Sequence, residues 1–211
     1  MTAIAPTITA FDPHEYRQQM ERLEPFAQRI HIDLMDGEFA PSKSPGVDHC
    51  WWPSHIVADV HLMYQRPMEE IETLLKIKPS LVVIHAEADV DHLAFATRLN
   101  EAGIRAGLAL LSTTAASDYY DLLPSFDHAL VFSGKLGFHG GMADMRLLTK
   151  VSDLREKFPH LEVSWDGGIN TQNAQELAEN GVEVLNVGGF IANAEDPKRA
   201  YDQLAESVTK G

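Results

Sequence analysis

Short apolar segments alternate with amphipathic segments along the whole chain. The apolar segments are rich in Val, Ile and Leu, as buried parallel strands are. They lie at 3–8, 29–34, 55–62, 81–86, 105–111, 128–133, 161–166 and 182–188. Between them the apolar positions follow a helical period, at 13–26, 67–77, 89–102, 115–123, 143–157, 170–180 and 196–209. The pattern therefore predicts strands that alternate with helices from one end of the chain to the other.

The number of these units limits the domain organisation. Eight strand–helix units within 211 residues leave little room for a second domain. Pro67 would occupy a first helical turn, and Gly103 and Gly181 directly follow two predicted helices, so the helix boundaries carry their usual signals. An open doubly wound sheet also fits the alternation, but eight regular units favour closure. We therefore predict an α/β fold, a single (βα)₈ TIM barrel domain over residues 1–211.

The composition of the chain limits which kinds of molecule it could bind. The chain has 17 basic and 31 acidic residues, a net charge of −14, which argues against a nucleic-acid surface and against an anionic membrane face. Cys50 is the only cysteine, which excludes an intrachain disulfide and a thiolate metal cluster. The sequence shows no signal peptide and no apolar run near the ~20 residues that span a bilayer. We expect a cytoplasmic protein without a membrane or nucleic-acid partner.

Polar side chains interrupt the apolar pattern at the ends of two predicted strands. Residues two apart in a strand share a face, so His31, Asp33 and Met35 point one way, and His61 and Met63 form a similar pair on the next strand. In a TIM barrel the inward positions at the carboxyl ends of the strands form the active site. These polar inward residues therefore indicate a functional site.

A fourth polar residue, Asp166, ends the seventh predicted strand. Together with His31, Asp33 and His61 it gives two imidazoles and two carboxylates, a set that suits one divalent ion such as Zn²⁺, Fe²⁺, Mn²⁺ or Co²⁺. Buried without a counter-charge, such groups would each cost several kcal/mol. Because the seventh strand lies across the ring from the second, Asp33 and Asp166 would reach a ligand from opposite sides, as inversion at one carbon requires.

Glycine pairs follow the last two predicted strands, at Gly167-Gly168 and Gly188-Gly189. TIM barrels often bind a phosphate between these two loops, and glycine allows the backbone to approach an anion closely. Tight turns are the simpler explanation of each pair alone. The loop 133–141 after the sixth strand has the composition of a mobile cover over a ligand, or of an ordinary flexible crossover.

Four motifs resemble those of the ribulose-phosphate 3-epimerase family. Residues 31–37 resemble its H-x-D-x-M-D-G signature, residues 59–63 match D-V-H-L-M, residues 84–88 are close to F-H-x-E-A, and residues 166–169 match D-G-G-I. The resemblance covers nearly the whole chain in order. It implies a phosphorylated sugar substrate and inversion at C3 between D-ribulose 5-phosphate and D-xylulose 5-phosphate, with one divalent metal ion that binds the C2 and C3 oxygens and stabilises an enediolate.

The resemblance also implies roles for individual residues. His31, Asp33, His61 and Asp166 would bind the metal, and Asp33 and Asp166 would also be the catalytic acid/base pair. Thr7 stands where the family has a substrate-contacting Ser, and Met35 and Met63 would pack against the enediolate. We assign substrate binding to Thr7 and the two methionines, and to glycines of the last three loops, namely Gly137, Gly140, Gly141, Gly167, Gly168, Gly188 and Gly189.

Departures from the family pattern lie on the substrate side of the expected site. Lys135 and Leu136 replace an Asn-Pro pair in the loop after the sixth strand, His139 is an insertion there, and Gly189 replaces a Ser. We hypothesise that Lys135 or His139 supplies a compensating phosphate contact, with a solvated loop as the alternative.

Two other functions stay open. One is the same 3-epimerisation of another ketose phosphate, such as a hexulose 6-phosphate, and the other is a non-catalytic barrel that binds a phosphorylated ligand. No D-x-K-x-x-D motif follows a predicted strand, which argues against the decarboxylases built on this fold. His85, after the fourth strand, is a candidate neighbour of the metal ligands. Trp51-Trp52 suits a homo-oligomer contact, a cover over the mouth of the barrel, or core packing.

Overall fold

A computed structural model describes residues 2–138 and 141–209 and contains a closed barrel of parallel strands. The strands pair in sequence order and β8 returns to pair with β1. They are β1 (Ala3–Thr9), β2 (Arg29–Met35), β3 (Val57–Met63), β4 (Leu81–His85), β5 (Arg105–Leu110), β6 (His128–Phe132), β7 (Glu162–Asp166) and β8 (Val184–Val187). The predicted α/β TIM-barrel fold is confirmed.

Helices surround the barrel between the strands. They are α1 (Pro13–Leu23), α2 (Ile71–Ile77), α3 (His92–Glu101), α4 (Leu148–Lys157), α5 (Ala174–Glu179), α6 (Gly189–Ala192) and α7 (Pro197–Thr209). None of the helices in the described ranges is both long and apolar enough to cross a membrane. The short α6, directly after β8, was not predicted.

The α-helix predicted at 115–123 is wrong. The structure has two short 3₁₀ helices there, Ala116–Tyr119 and Leu123–Ser125. Pro124 lies in the first turn of the second, and proline cannot continue an α-helix because it lacks an N–H and clashes with the preceding turn. The segment before Pro124 is then too short for a stable α-helix, although its apolar side chains still cover the barrel.

Alternation along each strand divides the buried residues into two sets. Ile30, Ile32 and Leu34 of β2 point outward into the main core between the strands and the helices. Inside the barrel, a small apolar cluster fills the middle, made of Leu81, Val83, Ala109, Leu130 and Phe132. The polar inward positions predicted for β2 therefore lie on the opposite face from the main core, as expected from the period of two.

An ionic cluster closes the amino-terminal end of the barrel. Arg29 Nε lies 2.6 Å from Asp59 Oδ2, and its guanidinium also pairs with Glu162 at 2.9 Å. His128 Nδ1 lies 2.9 Å from Glu162, and His128 Nε2 lies 2.7 Å from Ser164 Oγ. We call these five residues the barrel-floor cluster. It lies at the opposite end of the strands from Asp33, His61 and Asp166.

Candidate active site

The four predicted metal-binding residues come together at the carboxyl end of the barrel. Asp33 and His61 are direct neighbours in the β2–β3 register, and His61 Nδ1 lies 3.0 Å from Asp33 Oδ1. His31 Nε2 lies 3.3 Å from the same oxygen and 3.7 Å from Asp166 Oδ2. One ligand atom from each of the four residues lies within 4.8 Å of the others. We call this group the His/Asp quartet.

The arrangement of the His/Asp quartet fits one divalent ion. Ligands at about 2.1 Å on opposite sides of an ion are about 4.2 Å apart, close to the spread of these atoms. His31 Nε2 and Asp166 Oδ2 are buried and have no hydrogen-bond partner within the described part of the chain. Buried polar atoms are normally satisfied, so these two indicate a bound group. Nitrogen and oxygen donors suit a borderline or hard cation.

The two carboxyl groups of the quartet have different electrostatic environments. Burial would raise the pKa of Asp33, but its contacts with His31 and His61 outweigh burial and hold that pKa well below its usual range. Burial, with a smaller contribution from the Asp33 charge, raises the pKa of Asp166 to about 7. Thr9 Oγ1 also donates to Asp33 Oδ2 at 2.8 Å. One carboxyl therefore favours the ionised form and the other can hold a proton near neutral pH.

A chain of side chains leads from the quartet to Glu87. His61 Nε2 lies 2.9 Å from His85 Nε2, and His85 Nδ1 lies 3.4 Å from Glu87 Oε2. Glu87 Oε1 accepts from the Leu111 backbone N–H at 3.1 Å and from Thr114 Oγ1. If His61 Nδ1 offers its lone pair to a cation, its Nε2 carries the proton and donates to His85, whose Nδ1 proton then faces Glu87.

Replacement of His85 by Leu should weaken metal binding by about 10- to 100-fold, because His61 loses the acceptor that selects its tautomer. Competition with a chelating dye measures this affinity directly. His55→Leu, on an exposed histidine, is the matched control and should bind metal as the wild type does. Equal affinities in the two variants would show that His85 only packs beside His61.

A cavity of about 280 Å³ opens next to the quartet. Asp33 and Asp166 form part of its wall. Of the predicted substrate-binding residues, six line it, namely Thr7, Gly141, Gly167, Gly168, Gly188 and Gly189. Aromatic and amide side chains complete the wall, including Phe132, Phe138, Phe190, Asn170, Asn186 and Asn193.

The other predicted contacts lie elsewhere or outside the described residues. Met35 and Met63 are buried together with Ala40 in a small apolar cluster. The Gly137 carbonyl accepts from Ser42 Oγ at 2.7 Å, so Gly137 joins two loops. Lys135 Nζ lies 4.4 Å from the centre of the Phe138 ring. His139 and Gly140 are outside the described residues.

The first glycine pair has a packing role that the sequence did not reveal. Gly167 and Gly168 have φ angles of +114° and +73°. A Cβ on Gly167 would lie 2.2 Å from Gly134 N, and one on Gly168 would lie 2.0 Å from Ala143 N. The loop after β6 therefore crosses directly over the end of β7, and only glycine fits beneath it. A Cβ on Gly188 would lie 3.7 Å from Thr7 Cβ, an ordinary van der Waals contact.

The tryptophan pair divides between the core and the surface. Trp52 packs against the main core, whereas Trp51 is 41% exposed and has an edge contact with Tyr16. Trp51 is thus available for a contact between subunits, and the homo-oligomer stays a prediction from the sequence.

Sequence analysis missed Asn186, which lines the cavity from β8. It is buried and lies opposite Asp166 in the β7–β8 register. The period-two rule that identified Asp33 would also have identified it, because Asn186 lies two residues before Gly188 on the same face. The residues on either side of Asn186 are apolar, so β8 has the sequence of an ordinary buried strand.

A family model and several curated proteins match nearly the whole chain. A model of the ribulose-phosphate 3 epimerase family matches residues 3–192. A ribulose-phosphate 3-epimerase of Mycobacterium tuberculosis is 32% identical over 208 residues, which cover 95% of this chain and 90% of that protein. One of Schizosaccharomyces pombe is 28% identical over 214 residues, 98% of this chain and 94% of its own length.

Solved structures share the architecture at low identity. A 3-hexulose-6-phosphate synthase superposes with a TM-score of 0.75 at 15% identity, covering 98% of this chain and 100% of that one. The 3-keto-L-gulonate-6-phosphate decarboxylase of Vibrio cholerae gives a TM-score of 0.73 at 9% identity, covering 99% and 98%. At these identities the likeness concerns the fold alone, since one barrel hosts many chemistries.

Proposed function

Because this chain belongs to the ribulose-phosphate 3-epimerase family, we propose that it inverts C3 of a ketose phosphate and interconverts D-ribulose 5-phosphate and D-xylulose 5-phosphate. The observation that carries the proposal is the pair of buried carboxyl groups, Asp33 and Asp166, on β2 and β7 beside one cavity. Epimerisation at a carbon next to a carbonyl needs a proton carrier on each face of that carbon.

In the proposed mechanism the substrate lies between the two carboxyl groups. Asp33, in its carboxylate form, removes the C3 proton from one face. Asp166, in its protonated form, delivers a proton to the opposite face. The reverse reaction exchanges these roles. A divalent ion held by the His/Asp quartet would supply the positive charge that stabilises the enediolate oxygens.

The rest of the cavity suits the remainder of a phosphorylated sugar. Backbone N–H groups at Gly188 and Gly189, where α6 begins, offer donors for the phosphate in the place where barrels commonly bind one. Met35 and Met63 form an apolar cluster with Ala40 near the quartet, which would help exclude water from the enediolate. Lys135 and His139 stay candidates for a further phosphate contact from the loop.

Proton exchange with solvent tests the proposal directly. The protein, stripped of metal and then supplied with Zn²⁺, Fe²⁺, Mn²⁺ or Co²⁺ in turn, is incubated with D-ribulose 5-phosphate in D₂O. We expect deuterium at C3 together with D-xylulose 5-phosphate, and loss of both when the metal is withheld. Exchange with a hexulose 6-phosphate but not with the pentulose would reassign the substrate. Retained metal without exchange in any ketose phosphate would favour a binding protein.

A further inference from the structure

The amide of Asn186 is buried in the wall of the cavity without a partner. The residue is 2% exposed, and neither Oδ1 nor Nδ2 has a hydrogen-bond partner among residues 2–138 and 141–209. A buried carboxamide normally forms several hydrogen bonds, because leaving its groups unpaired is costly. Asn186 lines the same cavity as Asp33 and Asp166. Its unpaired groups therefore indicate a ligand with matching donors and acceptors.

The position of Asn186 along β8 indicates which part of a ligand it would meet. It lies opposite Asp166 in the β7–β8 register and opposite Ala5 in the β8–β1 register. The next inward position on β8 is Gly188, at the proposed phosphate end. Thr7 Oγ1 on β1 is also buried and unpaired within the described chain, and Thr7 Cβ lies 3.7 Å from the place of a Cβ on Gly188. Asn186 thus stands between the acid/base pair and the phosphate end.

We propose that Asn186 determines specificity by binding the substrate hydroxyl that lies between the reacting carbon and the phosphate, which is the C4 hydroxyl of a pentulose 5-phosphate. This inference rests on the proposed function. A hydroxyl both donates and accepts, and a carboxamide offers one acceptor and two donors, so the two groups match. The amide is also neutral, which matters beside Asp166, where a second carboxylate would add repulsion.

A comparison of substrates tests this pairing. The wild type and Asn186→Leu are assayed with D-ribulose 5-phosphate and with its 4-deoxy analogue. Loss of the C4 hydroxyl should lower kcat/KM of the wild type by about 10- to 100-fold, because the amide is left unpaired. In Asn186→Leu the same loss should change kcat/KM by less than about threefold, since the hydroxyl has no partner to lose. Equal discrimination by the two proteins would overturn the proposal.

The thermal midpoint of the unliganded proteins separates a ligand contact from a structural role. Leu has nearly the shape of Asn and carries no unpaired polar atoms, so Asn186→Leu should melt at or above the wild-type temperature. A lower midpoint would mean that the amide is satisfied in the free protein, which contradicts the proposal. Asn186→Ala is the second variant if Leu does not fold, and the same substrate comparison then decides.

A binding measurement keeps this test independent of the epimerase activity. The pentitol 5-phosphate made by reducing the C2 carbonyl cannot epimerise, and calorimetry measures its affinity and that of its 4-deoxy counterpart. If the wild type shows no proton exchange with any ketose phosphate, the proposed function fails. The pairing of Asn186 with the hydroxyl still holds if removal of that hydroxyl weakens binding in the wild type but not in Asn186→Leu, and it fails if both proteins respond equally.

Discussion

Asp166→Asn is expected to lower the rate of C3 epimerisation by about 10⁴-fold, the upper end of what one general acid or base contributes. Asn keeps the shape of the side chain but cannot exchange a proton, and it also removes one negative charge from the His/Asp quartet. Asp33→Asn should lower the rate of epimerisation by a similar factor for the same reasons. Coupled spectrophotometric assays in both directions measure these rates.

Isotope exchange separates loss of the proton carrier from loss of the metal. In Asp166→Asn the carboxylate of Asp33 can still remove a proton from its own face. One epimer should therefore exchange its C3 proton with D₂O without forming product, and Asp33→Asn should show this exchange with the opposite epimer. Metal content after dialysis is measured in parallel.

The control for these variants is Asp48→Asn. Asp48 has a side chain 70% exposed and belongs neither to the quartet nor to the described lining of the cavity, so this variant should epimerise at the wild-type rate. Epimerisation within about threefold of wild type in Asp166→Asn, well below the effect expected for one proton carrier, would refute the two-carboxylate mechanism.

Arg29→Met should lower the free energy of unfolding by about 3–5 kcal/mol, the usual cost of removing one partner from a buried ion pair. Asp59 has a side chain only 2% exposed and would lose its Arg29 counter-charge, whereas Glu162, 25% exposed, would keep Arg105 at 3.1 Å. Urea unfolding followed by circular dichroism measures the change. Because the barrel floor lies at the other end from the quartet, the folded variant should keep its metal affinity.

The stability cost of Arg29→Met should depend on pH in a defined direction. Burial alone would raise the pKa of Glu162, but its contacts with Arg29 and His128 lower that pKa well below its usual range. A carboxyl group with a lowered pKa stabilises the fold above its unfolded pKa of about 4.3, and this contribution is lost as the pH falls. The difference in the free energy of unfolding between wild type and Arg29→Met should therefore be largest at pH 7 and decrease below about pH 4.

An exposed pair of the same type is the control for the barrel-floor cluster. Arg66 binds Glu38 with both side chains about half exposed, so solvent screens the interaction. Arg66→Met should unfold at the wild-type urea concentration at every pH. A similar loss of stability in Arg66→Met and Arg29→Met would show that the stabilisation by the Arg29 contacts does not depend on their burial.

Local patterns in the sequence were enough to predict the barrel and its quartet. Apolar runs separated by amphipathic segments predict parallel strands with crossover helices, and the period of two places His31, Asp33 and His61 on the inward face. The strand pattern and the inward faces depend on residues that are close along the chain, so the sequence alone can show them. The comparison with known proteins then confirms the family that these motifs resemble.

Tertiary structure decided which inward groups meet and which stay unpaired. The sequence marks His85 as a candidate neighbour of the metal ligands, but the contact with His61 depends on the register of β3 and β4 and on the ring orientations. The sequence does not show that the loop after β6 crosses Gly167 and Gly168, or that the amide of Asn186 faces a cavity without a partner. Hydrogen bonding and close packing between distant segments depend on the closed barrel, so only the folded chain reveals them.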